Sequence, residues 1–264
     1  MKVSLNYDKK YKSVLALIGA FSFAFFVGIA IHETGHAIMI KYFGIEDVKI
    51  VLHPFKDSQV LWEVNNDYIG YVDVAGPLFN IFVGNTIMAL LWRKRNQILL
   101  PFLLLGPMAL IQEGFSSSIQ LLLRIPGTDS MRIVSSGIPY AIVLGVAILF
   151  LALGFIVFSL QLPLYGLSPK DSFLGKLVVL LPGLTVYMLI VLLYTFVFSP
   201  SELMRGFILT AFSTLVSILL ATIYKPTYSS LGFLAHTDVV LLGWNDVWVA
   251  LGLGCVVIIL GLLF

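Results

Sequence analysis

The chain has 264 residues, of which 59% are apolar and 11% charged, and its mean hydropathy is +1.00. Water-soluble domains carry about 25% charged residues, so this composition predicts an integral membrane protein. A net charge of +2, spread over 16 basic and 14 acidic residues, offers no basic face for phosphates and excludes nucleic acid as an expected partner. The single cysteine excludes an internal disulfide and a cysteine metal cluster.

Seven apolar runs are each long enough to cross a bilayer core, which takes roughly 20 residues per helix. They cover residues 14–40, 74–92, 98–123, 138–160, 173–198, 206–223 and 239–264. The first run is too long for the apolar segment of a cleaved signal peptide and is expected to remain as a helix. The predicted fold is therefore an all-α multi-pass helical bundle in the lipid bilayer, with the cell membrane as the expected location.

A polar segment, residues 46–73, separates the first two runs. It contains two stretches rich in β-branched residues, 48–52 and 60–64, joined through the turn-forming pair His53-Pro54. We expect a small β-hairpin or sheet here, inserted into a catalytic membrane core formed by residues 1–135. Residues 136–264 are expected to supply further helices, to which no motif assigns a role.

The first apolar run is interrupted by the motif His32-Glu33-Thr34-Gly35-His36. Residues four apart share one face of a helix, so the two histidines can bind the same metal ion. Zinc hydrolases use this arrangement, in which a third protein ligand completes the set and the glutamate takes a proton from a bound water. With the residue counts of this chain, the motif would arise by chance on the order of once per thousand chains. Ionisable groups inside membrane helices are also costly and usually functional.

Two further motifs accompany the histidine motif. Residues 75–80 have the sequence Ala-Gly-Pro-Leu-Phe-Asn, and residues 126–133 have the sequence Pro-Gly-Thr-Asp-Ser-Met-Arg-Ile. Together with Gly35, this set resembles the site-2 protease group of intramembrane zinc metalloproteases. The resemblance covers about residues 14–135, and Ser130 departs from the glycine that usually follows the aspartate in that group. Successive membrane crossings place all three motifs at the same end of the bundle, which agrees with the resemblance.

The resemblance implies one Zn²⁺ ion held by His32, His36 and Asp129, with Glu33 as the general base. It also implies that Asn80 positions the scissile carbonyl or stabilises its oxyanion, as a hydrogen-bond donor can. The expected activity is hydrolysis of peptide bonds in membrane-protein substrates, within or near the bilayer. An extended substrate could pair with a strand of the 46–73 segment by β-augmentation.

Alternatives remain open at this level. Glu113 lies within the third apolar run and is a rival third ligand, while Glu202 is a second acidic candidate and is more simply a helix-capping residue. Asp129 is preferred because a Pro-Gly break can fold back into the protein interior. The alternative functions are a transporter, a zinc-binding scaffold, or a membrane zinc protease of another family that uses Glu113 or Glu202 as its third ligand.

The orientation of the site also stays open. Most of the basic residues fall on the side of the N-terminus, which predicts a cytosolic N-terminus and a metal site on the outside. The family resemblance places the site near the cytosolic face instead.

Overall fold

Long apolar helices form most of the chain in the computed structural model, which describes residues 2–55, 58–61, 69–92, 94, 97–232, 234 and 239–263. The helices are α1 (Lys2–Tyr42), α2 (Ile69–Leu91), α3 (Leu100–Leu103), α4 (Leu105–Leu122), α5 (Asp129–Ser135), α6 (Tyr140–Gln161), α7 (Phe173–Phe198), α8 (Leu203–Leu231) and α9 (Trp244–Leu263). Short 3-10 turns occupy Gln97–Leu99, Leu162–Tyr165 and Pro200–Glu202.

Within these residues, seven helical segments are long and apolar enough to cross a membrane. Each corresponds to one of the seven predicted apolar runs. A two-stranded antiparallel sheet lies between α1 and α2. The predicted fold class is therefore confirmed.

The third predicted run is divided into two helices, α3 and α4, which meet at Leu104. Pro107 lies in the first turn of α4 and has no N–H to donate to the carbonyl four residues earlier. The α-helical hydrogen bonds are therefore interrupted where α3 ends, although the two helices together still form one membrane-length segment.

The small sheet consists of β1 (Lys49–Val51) and β2 (Gln59–Leu61), with Ile50 opposite Val60. The hairpin expected in the polar segment is thus present. Residues 62–64 of the second predicted strand lie outside the described residues.

The tip of this hairpin is buried in the bundle. The carbonyl oxygen of Pro54 accepts a hydrogen bond from the Tyr187 hydroxyl at 2.7 Å, and the Phe55 ring lies 4.8 Å from that of Tyr194. A Cβ added at Gly261 would lie 3.0 Å from Pro54 Cδ. Helices α7 and α9 therefore anchor the hairpin, which gives part of the segment 136–264 a structural role that its sequence did not indicate.

Helix α1 lies at the centre of the bundle and packs against α2, α4, α7 and α9. Its contact with α9 depends on small residues, since a Cβ at Gly254 would lie 2.8 Å from the carbonyl oxygen of Gly19. Close backbone approach of this kind is a common way for membrane helices to associate. The His32–His36 segment of α1 is consequently surrounded by other helices.

Candidate metal centre

Helices α1 and α2 cross closely at the histidine motif because glycines face each other there. A Cβ at Gly35 would lie 2.7 Å from the carbonyl oxygen of Ala75, and a Cβ at Gly76 would overlap the His36 imidazole. The absence of both side chains leaves space for the His36 ring against the backbone of α2. The two glycines that carry the sequence resemblance therefore shape the site directly.

A turn between α4 and α5 brings Asp129 back towards α1. The backbone is left-handed at Arg124, with φ of 49°, and at Gly127, with φ of 75°. Thr128 then adopts an extended conformation immediately before α5, and Asp129 is the first residue of that helix. The Pro-Gly segment itself stays exposed, contrary to the expected burial, and the turn through it returns the Asp129 side chain to α1.

Three ligand atoms converge at the centre of the site. His32 Nε2 lies 2.9 Å from His36 Nε2 and 3.2 Å from Asp129 Oδ2. His36 Nε2 lies 3.3 Å from the same carboxylate oxygen. These three residues form a cluster that could hold a metal ion. Within the described ranges, no other group of three acids, histidines or cysteines does so.

The outer nitrogens of both imidazoles are occupied by acceptors. His36 Nδ1 lies 2.6 Å from the carbonyl oxygen of Val72, which can only accept, so Nδ1 carries the proton. His32 Nδ1 lies 2.9 Å from Glu113 Oε1, which assigns the same tautomer. In their neutral forms both rings would direct an Nε2 lone pair at the carboxylate of Asp129, so a proton or a metal ion between the three atoms is needed to offset their repulsion.

The spacing of the ligand atoms fits a tetrahedral metal. Bonds of about 2.0–2.1 Å from zinc to nitrogen or oxygen give ligand-to-ligand distances of about 3.3–3.4 Å. The distances that join the three ligand atoms run from 2.9 to 3.3 Å, slightly short of that value. The donor set and the spacing are thus compatible with a three-ligand site that leaves a position for water.

The electrostatics at Asp129 also favour a cation. Burial by itself would raise the pKa of the Asp129 carboxyl, but contact with the imidazoles of His32 and His36 holds that pKa well below its ordinary value. A donor N–H or positive charge beside a carboxylate stabilises its ionised form. The Asp129 carboxyl is consequently ionised and can offer an oxygen to a cation.

Glu33 follows His32 on α1 and is buried, with 8% of its surface exposed. Its carboxylate interacts electrostatically with His32, His36 and Asp129. Among the described residues it has no hydrogen-bond partner, in contrast to Glu113. The Glu33 carboxylate is thus free to accept a proton.

Glu113 lies on the Nδ1 side of His32, outside the cluster of three ligands, and Asn80 contacts Glu113. Glu113 Oε1 accepts a hydrogen bond from Asn80 Nδ2 at 2.6 Å, in addition to its contact with His32 Nδ1. Both side chains are almost fully buried. Glu202 lies on another part of the bundle, in the 3-10 turn before α8, with Arg205 Nη1 at 3.6 Å.

A second chain of contacts supports Asp129. Asp129 Oδ1 accepts from Arg132 Nη2 at 2.8 Å, and Arg132 Nε donates to Asp73 Oδ1 at 2.8 Å. Burial by itself would lower the pKa of Arg132, but its hydrogen bonds to Asp73 raise that pKa above its ordinary value, so the guanidinium is charged. Sequence reasoning noted Arg132 only as part of a motif and gave Asp73 no role. The position of an acid at the start of an apolar run was the signal that could have identified it.

Comparisons of the chain with protein-family models, curated proteins and solved structures each gave no match. Function is therefore inferred from the geometry and chemistry of the site.

Proposed function

We propose that this protein is an intramembrane zinc metalloprotease of the site-2 protease type, which hydrolyses peptide bonds of membrane-protein substrates within or near the bilayer. One observation carries the proposal. Three ligand atoms meet at one point, beside the unpaired carboxylate of Glu33. They belong to His32 and His36, one helical turn apart, and to Asp129, 93 residues after the second histidine. The site lies in a bundle of membrane-length helices.

The donor set supports zinc as the metal. Two neutral imidazoles and one carboxylate are typical of catalytic zinc sites, which keep the fourth position for water. Calcium and magnesium prefer a larger number of oxygen ligands. His32, His36 and Asp129 would hold the ion.

Each protein group has a defined part in the hydrolysis. A bound zinc ion would polarise the scissile carbonyl and lower the pKa of a bound water. Glu33 accepts a proton from the attacking water as its oxygen bonds to the carbonyl carbon, and returns that proton to the nitrogen as the C–N bond breaks. Asn80 makes one hydrogen bond within the described structure, to Glu113. The second N–H of its amide group is the proposed donor to the carbonyl oxygen of the substrate.

The positions of the rival ligands favour Asp129. Glu113 contacts Nδ1 of His32, whereas Asp129 faces Nε2 of both histidines. A zinc-binding scaffold has no requirement for the Glu33 carboxylate beside the two ligands. Loss of peptide-bond cleavage with zinc retained, on substitution of Glu33, therefore separates a protease from a scaffold.

The test compares wild type with Glu33→Gln, with the exposed Glu46→Gln as a matched control. Purified protein is analysed for zinc and reconstituted with a mixture of single-span membrane proteins, and new peptide termini are identified by mass spectrometry. We expect about one zinc per chain in all three proteins. The Glu33→Gln variant should lose at least about 100-fold in cleavage, because an amide keeps the shape of the carboxylate without its basicity.

Cleavage by Glu33→Gln at the wild-type rate would contradict the mechanism. Wild-type protein that binds no zinc and generates no new termini would overturn the protease assignment and favour a transporter.

A further inference from the structure

The Asp129 carboxylate divides its two oxygens between two partners. Oδ2 faces the two histidine Nε2 atoms, at 3.2 and 3.3 Å, and Oδ1 accepts from Arg132 Nη2 at 2.8 Å. The guanidinium therefore determines which oxygen is turned towards the metal position. A carboxylate held in this way turns one oxygen, Oδ2, towards the metal position.

The orientation of Arg132 is itself fixed by other groups. Its Nε and Nη2 atoms lie 2.8 and 2.7 Å from Asp73 Oδ1, and its Nη1 donates to the carbonyl oxygen of Gly127 at 2.9 Å. The contact with Gly127 ties the helix α5 to the turn that precedes it. The guanidinium therefore has no freedom to rotate without breaking several charged hydrogen bonds, which are stronger than neutral ones.

Asp73 connects this arrangement to helix α2. Its side chain is 2% exposed, and within the described residues Arg132 is its hydrogen-bond partner. The preceding residue, Val72, accepts the hydrogen bond of His36 Nδ1. Two consecutive residues of α2 thus support two different ligands of the site, one through a carbonyl group and one through Arg132.

We infer that Asp73 and Arg132 are positioning residues, which hold the Asp129 carboxylate in the geometry that binds the metal. The inference rests on the proposed metal site and goes beyond it, because neither residue contributes a ligand atom to the cluster. Residues that orient metal ligands commonly contribute 10–100-fold to metal affinity.

The test measures the affinity of metal-free protein for Zn²⁺ and Co²⁺ by competition with a chelating dye in detergent. The variants are Asp73→Asn, Arg132→Lys and the double variant, with the exposed Asp47→Asn and Arg124→Lys as matched controls. Arg132→Lys keeps the charge but loses the planar fork that contacts both carboxylates. We expect each single variant to bind both metals about 10–100-fold more weakly, and the controls to bind as wild type does.

The double variant tests whether the two residues act as one unit. Both substitutions release the same carboxylate, that of Asp129. The metal affinity of the double variant should therefore be no lower than that of whichever single variant has the lower affinity. The visible spectrum of bound Co²⁺ should also change, since a released Asp129 can ligate through both oxygens or not at all. Thermal unfolding of the metal-free variants separates these effects from a loss of fold.

The outcomes distinguish this inference from the proposed function. Suppose that the Asp73 and Arg132 variants keep the wild-type metal affinity and Co²⁺ spectrum, while Asp129→Ala loses the metal. That result would overturn this inference and leave the proposed function standing. Fold-changes that multiply in the double variant would overturn it too. Weakened metal binding in a protein that cleaves no substrate would support the inference and contradict the protease. A wild-type protein that binds neither metal would overturn both.

Discussion

Glu113 Oε1 lies 2.9 Å from His32 Nδ1, on the opposite side of the imidazole from the Nε2 atom that faces His36 and Asp129. A carboxylate in this position fixes the tautomer of the histidine and makes Nε2 a stronger ligand. Glu113 is thus placed to assist a ligand, while Asp129 is placed to be one. The two acids that sequence reasoning treated as rivals occupy different positions around the same ring.

The first prediction compares these two acids through matched amide substitutions. Asp129→Asn should reduce zinc binding below stoichiometric levels, because it removes the charged ligand oxygen. Glu113→Gln should still bind one zinc per chain, with affinity lower by about 10–100-fold, because an amide supports the His32 ring less strongly. Zinc content and chelator competition measure both effects. The opposite order of affinities would move the third ligand to Glu113.

The second prediction concerns Asn80. If its free N–H binds the substrate carbonyl, Asn80→Ala should lower kcat by about 10²–10³-fold at saturating zinc, as the loss of one oxyanion donor does. The measurement is kcat for one cleaved membrane substrate, made with zinc occupancy verified in the same sample. Full recovery of kcat at high zinc would show that Asn80 acts only through Glu113.

The third prediction tests the close crossing of α1 and α2. Gly76→Ala should displace the His36 imidazole, since the added methyl group would overlap the ring, and should lower zinc affinity without removing any ligand. Gly145→Ala in α6 is the matched control, because a Cβ there meets nothing within 4 Å. Both substitutions favour helix formation to the same extent. Equal zinc affinity in the two variants would show that α2 does not constrain His36.

The fourth prediction concerns the hairpin. Ile50 and Leu61 are exposed at 38% and 44%, and proline at either position removes one N–H donor from the sheet. If the sheet captures an extended substrate, Ile50→Pro and Leu61→Pro should weaken cleavage of helical membrane substrates while zinc stays bound. A short unstructured peptide should be affected less. Equal loss on both substrates would make the hairpin a structural cover.

Some features of the site follow from local sequence. The spacing of His32 and His36 places both on one helical face whatever surrounds the helix, so this pair could be predicted before any packing was known. The seven membrane-length helices follow equally directly, because a bilayer core requires long apolar runs. The Pro-Gly segment before Asp129 predicted a break in the helical pattern, and the structure has a turn there.

Tertiary packing decided the rest. Sequence spacing could not rank Asp129 against Glu113, because the ring nitrogen that each acid meets depends on how α4 and α5 pack around α1. The pairing of Asp73 with Arg132 joins residues 59 positions apart and exists only where α2 meets α5. The burial of the Pro54 carbonyl against Tyr187 depends in the same way on α7, 133 positions further along the chain. Hydrogen bonds between distant residues leave no periodic pattern in the sequence from which they could be predicted. They form because burial leaves polar groups no water to bond with, and only the folded bundle determines which partner is within reach.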